Sequence, residues 1–203
     1  MKSVTAALLA ITNLASTGAM AQTVASGFEG LSAALNLNFT SVGVDASDTS
    51  GNKLGNVSAS DQHFVIQMAK GLPFGSNGVA NFGASAQLGD MKSTSIGPLQ
   101  LKATGSYALY AELGYAFDRK SMAYGKLSVN QLTATVSGGG PGVDGSLNAN
   151  GAGYGAGYRH ALAQGLYLQG ELMQVNYSSA ASAAGLVLKP SATTVMLGVG
   201  VKF

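Results

Sequence analysis

The sequence contains no cysteine and no tryptophan, and only 10% of its residues are charged. The absence of cysteine excludes a disulfide-stapled fold and a thiol enzyme. The net charge is only +2, so the chain lacks the basic field that nucleic acid requires, and no nucleic-acid partner is expected. Ordinary soluble domains carry about 25% charged residues. This chain therefore has too few charges for an ordinary water-exposed surface.

Long apolar runs are also missing beyond the first 21 residues, so no helix of the roughly 20 apolar residues needed to span a membrane is predicted. The first 21 residues have Lys2 near the front, an apolar stretch from Val4 to Ile11, and small residues that end at Ala21. This three-part pattern predicts a secretory signal peptide over residues 1–21. The mature chain, residues 22–203, has a length that suits one domain.

Alternation of side-chain type with a period of two runs through the whole mature chain. In the last segment, TTVMLGVGVKF at 193–203, apolar residues occupy every second position up to Phe203. Such alternation is typical of a β-strand with two unlike faces. The same pattern recurs in seven further segments, at 30–42, 63–71, 79–89, 106–117, 123–131, 151–160 and 166–174.

The connections between these eight segments alternate in length. The short ones are 71–78, 118–121 and 161–165, and they are expected to form tight turns. The long ones are polar and cover about 45–60, 90–98, 133–149 and 178–190. Strict alternation predicts an up-and-down arrangement with all long loops at one end.

The composition of the two strand faces distinguishes two barrel architectures. A soluble barrel would have an apolar interior and a polar outer face. Here the polar face carries mainly glycine, serine and alanine with a few single charges, which favours an inward position for it and an outward position for the apolar face. In lipid, strands can span only as a closed barrel without edges. The sequence therefore predicts an all-β fold, an eight-stranded antiparallel up-and-down transmembrane β-barrel.

The chain resembles the small outer-membrane barrels of the OmpA/OmpX type, in the eight-stranded porin-like superfamily. The residues that carry the resemblance are the signal peptide, SYALYAELGYAF, AYGKLSV, GYGAGYRHAL, LYLQGELM and the C-terminal VMLGVGVKF. The resemblance implies the bacterial outer membrane as location, contact with outer-membrane lipid and lipopolysaccharide, and a monomer. It also implies that the barrel-assembly machinery reads the end of the chain at Val199, Val201 and Phe203. Many relatives have an aromatic residue where this chain has Val201.

Four charged residues fall on the predicted inner face, namely Glu112, Lys126, Arg159 and Glu171. Glu112 and Lys126 flank the 118–121 turn almost symmetrically, so we expect them at similar depth on neighbouring strands. A plug of paired charges is the first interpretation, because eight-stranded barrels are just wide enough for side chains. The alternative is a gate or selectivity element in a narrow pore.

Aromatic residues near the short turns predict a periplasmic girdle of Tyr115, Phe117 and Tyr158. The alternating glycines at 151–157 are expected to make room for large side chains opposite them, since no phosphate-loop context follows.

The predicted function is non-enzymatic: a structural or surface-interaction barrel with four long extracellular loops, through which an extracellular ligand could bind. A narrow pore for ions or small solutes is the alternative. A lipid-modifying enzyme is a further alternative, which would need a serine, a histidine and an acid together, as near His63 and Asp61. No spacing of histidines and acids predicts a metal site, and no cofactor is expected.

Overall fold

The computed structural model describes residues 24–48, 50–90, 94–96, 99–137, 145–162, 165–178, 180–181 and 186–203. The predicted signal peptide, residues 1–21, lies outside the described residues. A short 3-10 helix, Val24–Phe28, precedes the strands. Among the described residues, no helix is long and apolar enough to cross a membrane.

The described residues form eight long strands and two short ones. The long strands are β1 (Gly30–Asp48), β2 (Lys53–Phe74), β3 (Gly78–Leu88), β5 (Leu99–Ala116), β6 (Ser121–Ser137), β7 (Gly145–Ala161), β8 (Leu166–Tyr177) and β10 (Leu186–Lys202). The short strand β4 (Thr94–Ile96) pairs with β5, and the short strand β9 (Ala180–Ala181) pairs with β10.

The sheet closes on itself. Each long strand pairs antiparallel with the next one along the chain, and β10 returns to pair with β1 from Ser32↔Lys202 to Asp48↔Leu186. Closure gives hydrogen-bond partners to the backbone N–H and C=O groups that the edge strands of an open sheet would expose. Strands in lipid require such partners. The predicted fold class, a closed eight-stranded up-and-down barrel, is confirmed.

The apolar rows point outward. Leu35, Leu109 and Leu197 are 46%, 53% and 57% exposed, whereas Glu112 and Arg159 are 1% and 5% exposed. Exposure of this many leucine side chains to water costs free energy, whereas contact with lipid tails does not. The predicted facing of the strands is therefore confirmed at these positions.

Exposed aromatic side chains mark both ends of the apolar band. Tyr115, Phe117 and Tyr158 lie exposed near the short turns, and their role as a periplasmic girdle stays a prediction. Tyr115 and Phe117 contact each other edge to face, with ring centroids 5.6 Å apart. Phe39, Phe64 and Tyr107 lie exposed at the other edge of the apolar band, near the middle of β1, β2 and β5.

The prediction of the connections was wrong in extent. Residues 45–48 and 53–60, expected in a loop, continue β1 and β2 as a paired hairpin, and the expected loop at 133–149 is strand up to Ser137 and again from Gly145. β10 likewise begins at Leu186, inside the expected 178–190 loop. At residues 45–48 the period-two hydrophobic signal fades because both faces are polar or small, yet backbone pairing needs no apolar face. The long loops are therefore in part long hairpins.

Candidate functional site

The four charged residues predicted for the interior come from four consecutive strands. Glu112 on β5 lies directly opposite Lys126 on β6 in the strand register. Arg159 follows on β7 and Glu171 on β8. All four are buried. Alternation along each strand turns them inward, and the register brings them to similar depth.

The ion pairs connect these four side chains. Lys126 Nζ lies 2.9 Å from Glu171 Oε2 and 3.7 Å from Glu112 Oε1. Arg159 Nη2 lies 3.3 Å from Glu112 Oε2. Two carboxylates thus face two cations, so the group is neutral as a whole. Burial of charge is tolerable only with such pairing, because each isolated ion would lose its hydration without compensation.

Polar residues that the sequence analysis did not single out extend this group across the barrel. Gln169 Oε1 accepts hydrogen bonds from Arg159 Nε at 3.2 Å and Nη2 at 3.1 Å. Gln169 Nε2 in turn donates to Asn36 Oδ1 on β1 at 2.6 Å and to Gln67 Oε1 on β2 at 3.0 Å. The alternation along β1, β2 and β8 places these amides on the inner face, but a neutral amide has no charge that marks it out in the sequence.

Tyrosines line the same layer. Lys126 Nζ lies 3.9 Å from the centre of the Tyr110 ring, and the Arg159 guanidinium lies 5.1 Å from the centres of the Tyr124 and Tyr167 rings. Tyr124 also donates a hydrogen bond to Glu171 Oε2 at 3.0 Å. The ring faces carry negative charge density, so they stabilise the two cations. We call the charged residues, the amides and these tyrosines the polar network.

Glycines opposite the tyrosines create the space for their rings. A Cβ at Gly157 would collide with the Tyr124 ring, one at Gly83 with Tyr110, and one at Gly200 with Tyr167. The expectation that strand glycines make room for large inner side chains holds for Gly157 and for Gly151, where a Cβ would collide with the Tyr177 ring. Gly153 and Gly155 instead face Ser128 and Met173.

A cavity of about 130 Å³ lies on the long-hairpin side of the polar network. Lys126 and Glu171 line its inner end, and hydroxyl and amide side chains such as Thr40, Ser128 and Asn130 line its wall. The interior is thus a cup on this side of the network.

His63, the histidine considered for an enzyme, lines the cup wall. Its Nδ1 atom has no hydrogen-bond partner among the described residues. At the other end of the barrel, His160 Nδ1 lies 3.3 Å from Ser121 Oγ. Asp118 beside them accepts a hydrogen bond from the Lys120 backbone N–H at 2.7 Å, which holds the pKa of this carboxyl below its ordinary value. These contacts shape the tight turn between β5 and β6.

The end of the chain pairs on both sides. The Phe203 backbone N–H donates to Leu31 O, and the Lys202 backbone N–H donates to Gly165 O, each at 2.8 Å. Val199 and Phe203 are exposed on the outer face. The three residues of the predicted assembly signal thus lie at the seam where the barrel closes.

A closed barrel with an apolar exterior and a paired polar interior defines an integral membrane β-barrel. A family model described as "Outer membrane protein beta-barrel domain" matches residues 6–203. The chain belongs to this family, and its location is the bacterial outer membrane.

Solved structures are similar to this chain at low sequence identity. The attachment invasion locus protein Ail of Yersinia pestis is 14% identical, with a TM-score of 0.51 over 87% of this chain and 100% of that one. The outer membrane protease OmpT of Escherichia coli is 8% identical, with a TM-score of 0.50 over 91% and 99%. Neisserial surface protein A is 19% identical, with a TM-score of 0.48 over 83% and 97%. No curated protein sequence matches the chain.

Proposed function

We propose that this protein is a non-enzymatic outer-membrane barrel whose interior is occluded and whose long hairpins present polar surfaces outside the cell. The observation that carries the proposal is the buried, neutral polar network. Its hydrogen bonds run from Arg159 on β7 through Gln169 on β8 to Asn36 on β1 and Gln67 on β2. These contacts join opposite walls of the barrel.

The network argues against a pore. An ion that crossed it would have to displace Lys126 from Glu171 and Arg159 from Glu112, and would leave buried charges without partners. An eight-stranded barrel has little interior space beyond that of its own side chains. Occlusion is therefore the lower-energy state of this interior.

The long hairpins support a role at the surface. In such barrels the short turns face the periplasm and the longer connections face outward. β1 continues nine residues beyond Phe39 to Asp48, paired with β2 nearly throughout. At about 3.3 Å per residue, this hairpin continues for roughly 30 Å along the strand. A long paired hairpin of this kind suits the binding of an extracellular ligand.

Partners follow from the same surfaces. The outward leucines and aromatic bands contact outer-membrane lipid, with lipopolysaccharide proposed on the hairpin side. We further propose secretion by a signal peptide over residues 1–21, reading of Val199, Val201 and Phe203 by the barrel-assembly machinery, and a monomeric barrel. Exposed apolar side chains around the whole circumference of the barrel support a monomer, because the outer face of every strand can then contact lipid.

Planar-bilayer recordings of the purified barrel test the occluded interior, with a known pore-forming protein reconstituted in parallel as the positive control. We expect no stable conductance steps from this protein. Regular steps of one size would overturn the proposal and establish the narrow-pore alternative.

The orientation can be tested in intact cells, because the chain has no native cysteine. Ser50 lies exposed at the β1–β2 hairpin tip, and Lys120 lies exposed in a short turn. A membrane-impermeant maleimide should label Ser50→Cys in intact cells and should label Lys120→Cys only after the cells are broken. The reverse pattern would contradict outward display.

The enzymatic alternative has its own experiment. His63→Ala should leave the lipid A mass spectrum of the expressing cells identical to that of the wild-type barrel. A modification that is present with wild type and absent with His63→Ala would show a lipid-modifying activity.

A further inference from the structure

The 3-10 helix Val24–Phe28 does not lie along the outside of the barrel but packs inside its short-turn end. Ala25 is fully buried and Phe28 is nearly so, and both belong to one apolar cluster. The barrel contributes Val79, Ala116, Met122 and Tyr124 to this cluster. The segment thus occupies the opening on the periplasmic side of the polar network.

Hydrogen bonds hold the segment by its backbone. The Ala25 N–H donates to Ser76 O in the β2–β3 turn at 3.2 Å. Lys202 Nζ, from the last strand, donates to Gly27 O at 3.0 Å and to Ser26 O at 3.3 Å. Carbonyls near the end of a short helix need such partners, and a lysine ammonium supplies them well.

Two glycines permit the close fit. Gly27 lies so near the Arg119 carbonyl that a Cβ would collide with it, and Gly71 on β2 lies equally close to the Phe28 carbonyl. Gly30, with φ of +101°, then redirects the chain from the helix into β1. A left-handed φ of this kind favours glycine. The segment and its surroundings are therefore complementary in shape.

We propose that Val24–Phe28 is a stopper that closes the periplasmic opening of the barrel, and that Lys202 is its positioning residue. Because Lys202 lies on β10, its contacts with the stopper form only once β10 has paired with β1. The stopper therefore seats as the barrel closes. It is a second barrier, separate from the polar network, and it makes the interior a cup that opens only toward the hairpin side.

Cysteine accessibility tests this directly in the otherwise cysteine-free chain. Ala116 is fully buried beneath the stopper, whereas Ala108 on the same strand lines the outward cup. In folded, micelle-bound barrels we expect a charged thiol reagent to modify Ala116→Cys at least about tenfold more slowly than Ala108→Cys, because local opening must precede reaction.

Displacement of the stopper should abolish this protection. Ala25→Glu places a carboxylate in the apolar cluster and should raise the rate at position 116 by about tenfold, while the rate at position 108 stays unchanged. Glu29→Gln, at an exposed position just outside the stopper, is the matched control and should change neither rate. Lys202→Met keeps a side chain of similar length but removes the ammonium hydrogen-bond donors. It should raise the modification rate of Ala116→Cys by a smaller factor.

The Lys202→Met variant keeps the test decisive if Ala25→Glu fails to fold. Rapid modification of Ala116→Cys behind the wild-type stopper, or a rate that none of the folded variants changes, would overturn the stopper. The bilayer recordings test the occlusion of the interior separately. Even with the stopper displaced in Ala25→Glu, the polar network alone would prevent conductance.

Discussion

Glu112→Gln is the sharpest test of the polar network, because it removes one charge with almost no change in volume. The Glu112 side chain is fully buried and faces both cations. With glutamine in its place, Lys126 and Arg159 would share the single remaining carboxylate of Glu171. The interior would then carry one uncompensated positive charge.

The magnitude follows from the two distances. At an effective dielectric constant of about 20, unit charges 3.3 Å apart interact by roughly 5 kcal/mol, and those 3.7 Å apart by roughly 4.5 kcal/mol. The repulsion between Glu112 and Glu171 and the burial of the carboxylate offset a large part of this sum. Loss of one partner of a buried pair typically destabilises by about 3–5 kcal/mol. We expect a loss in this range for Glu112→Gln.

The assay is reversible urea unfolding of the barrel in lipid vesicles. The folded fraction is measured by heat-modifiable migration on gels. Glu112→Gln combined with Lys126→Met restores neutrality, so the double variant should lose less stability than the sum of the single variants. Exposed Glu29→Gln should change the free energy of unfolding by less than about 0.5 kcal/mol. A loss below about 1 kcal/mol for Glu112→Gln, with additive single effects, would mean that water screens these charges and would refute the occluded network.

Three further outcomes are expected. Leu109→Arg places a cation on the lipid-facing side of β5 and should reduce the free energy of unfolding in vesicles by roughly 2–4 kcal/mol, whereas Leu109→Ile should have little effect. Deletion of Phe203 should lower the amount of folded, heat-modifiable protein in the outer membrane, since this residue ends the closing strand; Phe203→Tyr should assemble normally. Gly157→Ala should destabilise by roughly 1–3 kcal/mol through collision with the Tyr124 ring, whereas Gly125→Ala, with no atom nearby, should be close to neutral.

Each of these has a contradicting result. Unchanged stability of Leu109→Arg would place that face away from hydrocarbon. Normal assembly without Phe203 would remove the end of the chain from the assembly signal. Equal effects of the two glycine substitutions would show that the Tyr124 ring moves aside without cost.

Much of the barrel could be predicted because lipid imposes a simple rule on each strand. Where a strand crosses the apolar layer, outward residues must be apolar. The apolar character of Leu109 and Leu197 therefore predicts that their side chains point outward. Beyond that layer the rule no longer applies. Residues 45–48 are polar or small on both faces, and the sequence pattern gave no sign that they remain paired.

The polar network was predictable only in part. The alternation within β5, β6, β7 and β8 predicts that four charged side chains point inward, namely Glu112, Lys126, Arg159 and Glu171. Because the inner face offers them few other charged partners, pairing among them was expected. Gln169, Asn36 and Gln67 were not chosen, because a neutral amide shows its importance only when its neighbour across the barrel is known. Those neighbours lie 102 and 133 residues away along the chain.

The amino-acid sequence by itself determined the class of fold, the direction of each strand face and the charge balance of the interior, because these depend on local alternation and composition. Only the tertiary structure decided which charges meet, how far the hairpins extend, and that Val24–Phe28 enters the short-turn end of the barrel. The last of these depends on close backbone contacts between the stopper and Ser76, Arg119 and Lys202, and those contacts exist only after the sheet has closed.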